Sequence, residues 1–108
     1  MFLHTTHFFG RDIRREIEEI IMNIVVVGST RSTCVVLEEL CRIDDISVFC
    51  LIITGKHRES DYSAELRSLC LDFNLDFLEN DDVNSDLSTS FCYDKNPNYI
   101  FAIGLSQI

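Results

Sequence analysis

The chain has 108 residues, 46% of them hydrophobic, with nine basic against 18 acidic side chains and a formal net charge of −9. That length holds one domain with a core of its own, and the acidic balance opposes the phosphate-neutralising surface that DNA or RNA binding requires. Neither a run of 18 apolar residues nor a basic segment followed by a short apolar one is present, so the sequence predicts no membrane span, no secretory signal and a cytoplasmic location.

Residues 1–9 show no period, and Gly10 separates them from a charged stretch. Ile13, Ile17, Ile20 and Ile21 then fall at i, i+4, i+7 and i+8, the spacing of one apolar helical stripe. Arg14 with Glu18 and Arg15 with Glu19 form i,i+4 pairs on the other face. An N-terminal amphipathic helix is expected, packed on the domain or on a partner. Met22 would serve equally well as a first residue, so residues 1–21 read as an extension ahead of a core spanning 22–108.

Asn23-Ile24-Val25-Val26-Val27-Gly28 is a β-branched run closed by glycine, suited to a strand buried on both faces of a parallel sheet. Ser29-Thr30-Arg31-Ser32 is a polar loop, and Ser32 or Thr33 is the expected cap of a helix bearing Val36, Leu37, Leu40 and Cys41. Asp44-Asp45 turns the chain into a second apolar strand over 47–54, and Gly55 opens a basic loop, Lys56-His57-Arg58. The next helix has Ser60 as its expected cap, Asp61 in its first turn and a stripe of Tyr62, Leu66, Leu69, Cys70 and Phe73. Asn74 ends it. A short third strand is expected over 75–78, then a weak helix bearing Val83, Leu87 and Phe91 that Asn96-Pro97 stops, then a fourth strand over 99–103.

Strands alternating with helices at this spacing predict successive βαβ units: an α/β, Rossmann-like open parallel sheet of about four strands with helices on both faces. In the order 3-2-1-4, strands one and four are neighbours at the topological switch point, where ligands bind beyond the carboxyl ends. That order would bring Gly28-Ser29-Thr30 to Gly104-Leu105-Ser106-Gln107 across a long gap in sequence.

Side-chain chemistry narrows the candidates. Cys34, Cys41, Cys50, Cys70 and Cys92 include no C-x-x-C pair and no histidine at zinc spacing, so they read as reduced packing residues rather than metal ligands. Glu79, Asp81, Asp82 and Asp86 read as a solvated acidic loop. Gly28-Ser29-Thr30-Arg31-Ser32-Thr33 has the glycine, hydroxyls and helix start of an anion loop, yet it matches neither G-x-G-x-x-G nor G-x-x-x-x-G-K-[ST]. Lys56, His57 and Arg58 would attract an anionic substrate at the carboxyl end of strand two. No Ser-His-Asp, Cys-His or paired-carboxylate arrangement can be read from spacing.

Two segments carry a resemblance. Asn23-Ile24-Val25-Val26-Val27-Gly28-Ser29 with the helix ending Leu37-Glu38-Glu39-Leu40, and Asn96-Pro97-Asn98-Tyr99-Ile100-Phe101-Ala102-Ile103-Gly104-Leu105-Ser106-Gln107-Ile108 in fourth-strand position, resemble the N-terminal half of the formyltransferase domain. That family includes the methionyl-tRNA, sugar N- and glycinamide ribonucleotide formyltransferases. The resemblance covers 22–108, and its second segment is the more specific. It implies a Rossmann-like fold, 10-formyltetrahydrofolate as cofactor and an amine acceptor, anionic in some branches. Carried over by position, it makes Gly104, Leu105, Ser106, Gln107 and Ile108 the folate-pocket residues and puts Gly28, Ser29, Thr30, Arg31, Lys56 and Arg58 on the acceptor side.

The family's catalytic asparagine, its H-x-S-x-L-P histidine and its later aspartate have no counterpart in this sequence. In the family they stabilise the oxyanion and move protons from the attacking amine. The expectation is therefore a truncated domain without transferase activity of its own. A second reading is a non-catalytic Rossmann-like module that forms a homodimer through the N-terminal helix or an open sheet edge. A third is a nucleotide-binding domain using the loop after strand one.

Overall fold

Ile24, Val25, Val26 and Val27 are each at most 2% exposed, which a strand achieves only with side chains packed on both of its faces. They form the middle of β1 (Met22–Gly28) in a computed structural model that describes residues 21–55 and 62–104. The other elements are α1 (Arg31–Leu40), β2 (Ile46–Ile53), α2 (Ser63–Asp72), β3 (Phe77–Asn80), α3 (Asp86–Asp94) and β4 (Tyr99–Ile103). All strand pairs are parallel, and the sheet order is β3-β2-β1-β4. The expected architecture, an open α/β sheet in the order 3-2-1-4, is the one observed. Ile13, Ile17 and Ile20 of the expected N-terminal helix and the basic loop with Lys56, His57 and Arg58 lie outside the described residues, as do Ser60 and Asp61; the cap of α2 is Tyr62 rather than the expected Ser60, and the acidic residue of its first turn is Glu65 rather than Asp61.

The pleat divides the core in two. Ile24, Val26, Val48, Cys50 and Ile52 face one side and meet Leu37 of α1 with Leu66 and Cys70 of α2. Val25, Val27, Leu51 and Ile53 face the other side and meet Cys92 and Phe91 of α3. The side changes because the chain steps outward through β2 to β3 and then crosses back beyond β1, so connections of one hand must lie on opposite faces.

Local chemistry sets the boundaries. Phe73 caps the end of α2 and Asn74 follows at φ 56. The Leu75 amide donates to the Cys70 carbonyl at 2.8 Å and the Asn74 amide to the Leu71 carbonyl at 3.2 Å. That pair of bonds is a Schellman ending, with asparagine in the left-handed position that glycine usually fills. At the amino end of the sheet Asn23 latches the approach to β4. Its amide donates to Asn98 Oδ1 at 2.8 Å, its side-chain Nδ2 to the Lys95 carbonyl at 3.1 Å, and its own carbonyl accepts from the Asn98 amide at 2.8 Å.

Several local expectations are corrected. Thr30 rather than Ser32 or Thr33 caps α1, because its extended backbone turns its hydroxyl onto the Thr33 amide. The third strand is Phe77–Asn80 rather than 75–78, since Leu75 is consumed in ending α2. Leu87 does not join a buried stripe but is 58% exposed; Ser85 caps α3 and Ser88 is buried in its place, its hydroxyl donating to the Asp82 carbonyl at 2.7 Å. Val83 packs on the core from the loop ahead of α3. Phe73 lies at the frayed end of its stripe and is exposed. Glu79 stands on β3 rather than in a loop and is bound by Arg67, Nε to Oε2 at 2.5 Å and a second nitrogen to Oε1 at 2.7 Å.

Candidate functional site

The carboxyl ends of β1 and β4 meet through glycine. In register, Gly28 lies beside Ile103, and a Cβ on Gly28 would stand 2.6 Å from the Ile103 carbonyl oxygen and closer still to Thr33 Oγ1. Only a residue without a side chain lets the backbone turn here. Gly104 follows β4 at φ +66, and a Cβ there would meet the Thr30 hydroxyl at 2.7 Å. Segments far apart in sequence thus share one junction.

Two threonines close it. Thr33 is fully buried, and its hydroxyl donates to the Ile103 carbonyl at 3.2 Å. Having spent its proton there, Thr33 Oγ1 accepts from the Thr30 amide at 3.2 Å and from the Thr30 hydroxyl at 3.1 Å. Thr30 Oγ1 in turn accepts from the Thr33 amide at 3.4 Å, completing a reciprocal cap on α1. Ser29 is also buried, and its carbonyl accepts from the Tyr62 amide at 2.8 Å, tying the loop to the start of α2. A helix start capped from within has fewer donors for an anion than a glycine-rich phosphate loop.

Gly28, Ser29, Thr30 and Gly104 are therefore brought together at the switch point, with Arg31 exposed on the first turn of α1. Leu105, Ser106, Gln107 and Ile108, and on the acceptor side Lys56 and Arg58, lie outside the described residues. Thr33 enters the sequence reading only as a possible helix cap and as the end of the anion loop, and the Ile103 carbonyl does not enter it; the Thr30-Arg31-Ser32-Thr33 spacing of a reciprocal cap is the signal for the role that Thr33 plays. Beyond the ends of β2 and β3, Thr54, Gly55, Glu79, Asn80 and Asp81 line an open depression of about 470 Å³. At the opposite end of the sheet a groove of about 420 Å³ runs between the α1 and α2 termini, lined by Cys41, Phe49, Phe73 and Asp76 among others. Lys95 lies near its Phe49 wall, over the Phe49 and Phe91 rings at 5.2 and 4.9 Å, bound to Asp76 at 2.5 Å.

The five cysteines are all unbridged. Cys50 and Cys70 share a thiol–thiol hydrogen bond that, with burial, pushes the Cys50 thiol up and by itself holds the Cys70 thiol below its ordinary value, so the two contribute to the pH dependence with opposite signs. Burial likewise raises Cys41 and Cys92, and burial followed by the nearby Glu65 carboxylate raises Cys34. A thiol whose value is raised on folding keeps its proton in the native state while the unfolded chain loses it. Stability from these groups is therefore fully present below pH 9.0, the ordinary thiol value, and is lost as pH rises beyond it. Thermal melts should show a flat midpoint from pH 7 to 8 (about one unit below that value) and a steady fall above pH 9.0; replacing Cys41 and Cys92 with alanine should flatten that fall. A midpoint that rises with pH across this range would contradict the assignment.

No protein-family model, curated protein or solved structure matches the chain. Among the described residues no group of three or more His, Cys, Asp or Glu side chains is placed to hold a metal ion, and no helix is long and apolar enough to cross a membrane.

Proposed function

We propose that the chain is the folate-pocket half of a formyltransferase-type domain, binding 10-formyltetrahydrofolate without transferring its formyl group. The observation that supports this most is the junction of Gly28, Thr30 and Thr33 with Ile103 and Gly104 at the point where the sheet order reverses. Ligands of open α/β sheets bind in the crevice beyond that point. In this reading Gly104, Leu105, Ser106, Gln107 and Ile108 hold the pterin, backbone polar groups matching its edge and the apolar side chains covering its faces. Gly28, Ser29, Thr30, Arg31, Lys56 and Arg58 are assigned to the acceptor side by the sequence resemblance, and the charges of Lys56 and Arg58 would suit an anionic acceptor.

Transfer needs more than this pocket. A tetrahedral intermediate requires a donor aimed at its oxyanion and a base for the amine proton, and the sequence contains no H-x-S-x-L-P segment to supply them. Calorimetric titration with 5-formyltetrahydrofolate, a stable isomer of the cofactor, should give a saturable heat, whereas ATP should give none. Incubation with 10-formyltetrahydrofolate and candidate amines should give no formylated product. Saturation by ATP alone would replace the reading with a nucleotide site, and formyl transfer by the purified chain would overturn the claim of inactivity.

A further inference from the structure

Apolar surface gathers at the amino end of the sheet. Met22, Ile43 and Phe73 are exposed there, and Cys41, Ile46, Val48, Phe49, Phe73 and Leu75 are the apolar lining of the groove of about 420 Å³ between the α1 and α2 termini. A patch of this kind is a seat for another segment. The chain itself leads into it: β1 begins at Met22, which lies in register beside Ile46 of the groove wall and whose amide donates to the Asp45 carbonyl at 3.1 Å. Residues 11–20 therefore join the fold at the rim of the groove. Ile21, the last member of the stripe Ile13, Ile17, Ile20 and Ile21, is half-buried.

Length and charge select this occupant. A helix over 11–20 is about 15 Å long, and strands about 4.8 Å apart put β3 about 10 Å from β1, so a helix starting beside Met22 spans the groove as far as α2. α2 ends in Asp72 with no basic residue in its last turn, an end that attracts cations. Among the described residues the two cations at this end of the sheet are already engaged, Arg42 by Glu38 and Glu39 and Lys95 by Asp76. Arg11, Arg14 and Arg15 fall in the half of the segment farthest from β1, the half that reaches α2. Covalent attachment also gives the segment an effective concentration of about millimolar, an advantage denied to a second copy, which the net charge of −9 repels.

We propose that residues 11–20 form a helix seated in the amino-end groove of their own domain, with Ile13, Ile17 and Ile20 against its apolar lining and the arginines at the carboxyl end of α2. The groove lies at the opposite end of the sheet from the switch-point crevice, so the proposal stands independently of the folate reading. Hydrogen exchange on the full chain should show the amides of residues 14–20 protected about tenfold or more over an unstructured chain, equally at high and low protein concentration. Phe73→Lys, at an exposed position, removes an apolar contact and repels the arginines; it should abolish that protection while β1 and β2 amides keep theirs. Conversely, changing Ile13, Ile17 and Ile20 together to serine should raise the alkylation rate of half-buried Cys41 in the groove wall about tenfold, with buried Cys50 and Cys92 unreactive as the check that the fold is intact. Exchange of residues 14–20 at the unstructured rate would overturn the proposal, as would protection that survives Phe73→Lys or Cys41 alkylation unchanged by the serine substitutions. So would protection that fades on dilution, which would seat the segment on a second copy.

Discussion

Gly28→Ala should cost about 3 kcal/mol or more of folding stability, a large share of the 5–15 kcal/mol typical of a domain. The new methyl would stand 2.6 Å from the Ile103 carbonyl oxygen, with Thr33 Oγ1 on its other side. Both neighbours are fixed: the first is backbone of β4, and the second is buried and hydrogen-bonded to that same carbonyl. Relief requires β1 and β4 to part, which also breaks the bond from Thr33. Gly104→Ala tests the contrast. There the intruding atom meets Oγ1 and Cγ2 of Thr30, a side chain rather than backbone, so relief costs the Thr30 cap, about 1 kcal/mol, beside the left-handed backbone of a non-glycine residue, about 1–2 kcal/mol. Urea unfolding of the two variants should rank them in this order. Equal losses would mean that the Gly28 approach is looser than described.

Leu66→Ala should cost about 2–5 kcal/mol, whereas Leu71→Ala on the same helix should stay within about 0.5 kcal/mol. Leu66 is fully buried on the side of the sheet that carries Val48, Cys50 and Ile52, so its truncation leaves a cavity between α2 and β2 that rigid strands cannot fill. Leu71 is 65% exposed and points away from that layer. The pair shares residue type, helix and chain region, so the difference isolates burial from helix propensity. Similar losses at the two positions in chemical denaturation would place α2 in a different rotation about its axis.

The architecture was legible because its signals are global. The buried run at Ile24, Val25, Val26 and Val27 can only be a central strand, and strand spacing with helices between leaves few topologies. The signals that failed are local ones. Whether Thr30, Ser32 or Thr33 caps α1 depends on one backbone torsion, and all three carry a hydroxyl. Leu75 reads as strand until the Schellman bond to Cys70 is known to claim it. Leu87 looks like core in an i, i+4 count, but that count began at Val83, which lies ahead of the helix. At the candidate site, glycine positions were readable as turns, while the Thr33 bond to the Ile103 carbonyl was not, because it spans 70 residues and depends on the strand order.

Backbone amide shifts during titration with 5-formyltetrahydrofolate would locate the proposed folate site at the switch-point junction of β1 and β4. Saturable shifts should cluster at Gly28, Ser29, Thr30, Arg31, Gly104 and the residues that follow it. Shifts confined to the opposite groove around Cys41, Phe73 and Asn74, or none at saturating ligand, would contradict it.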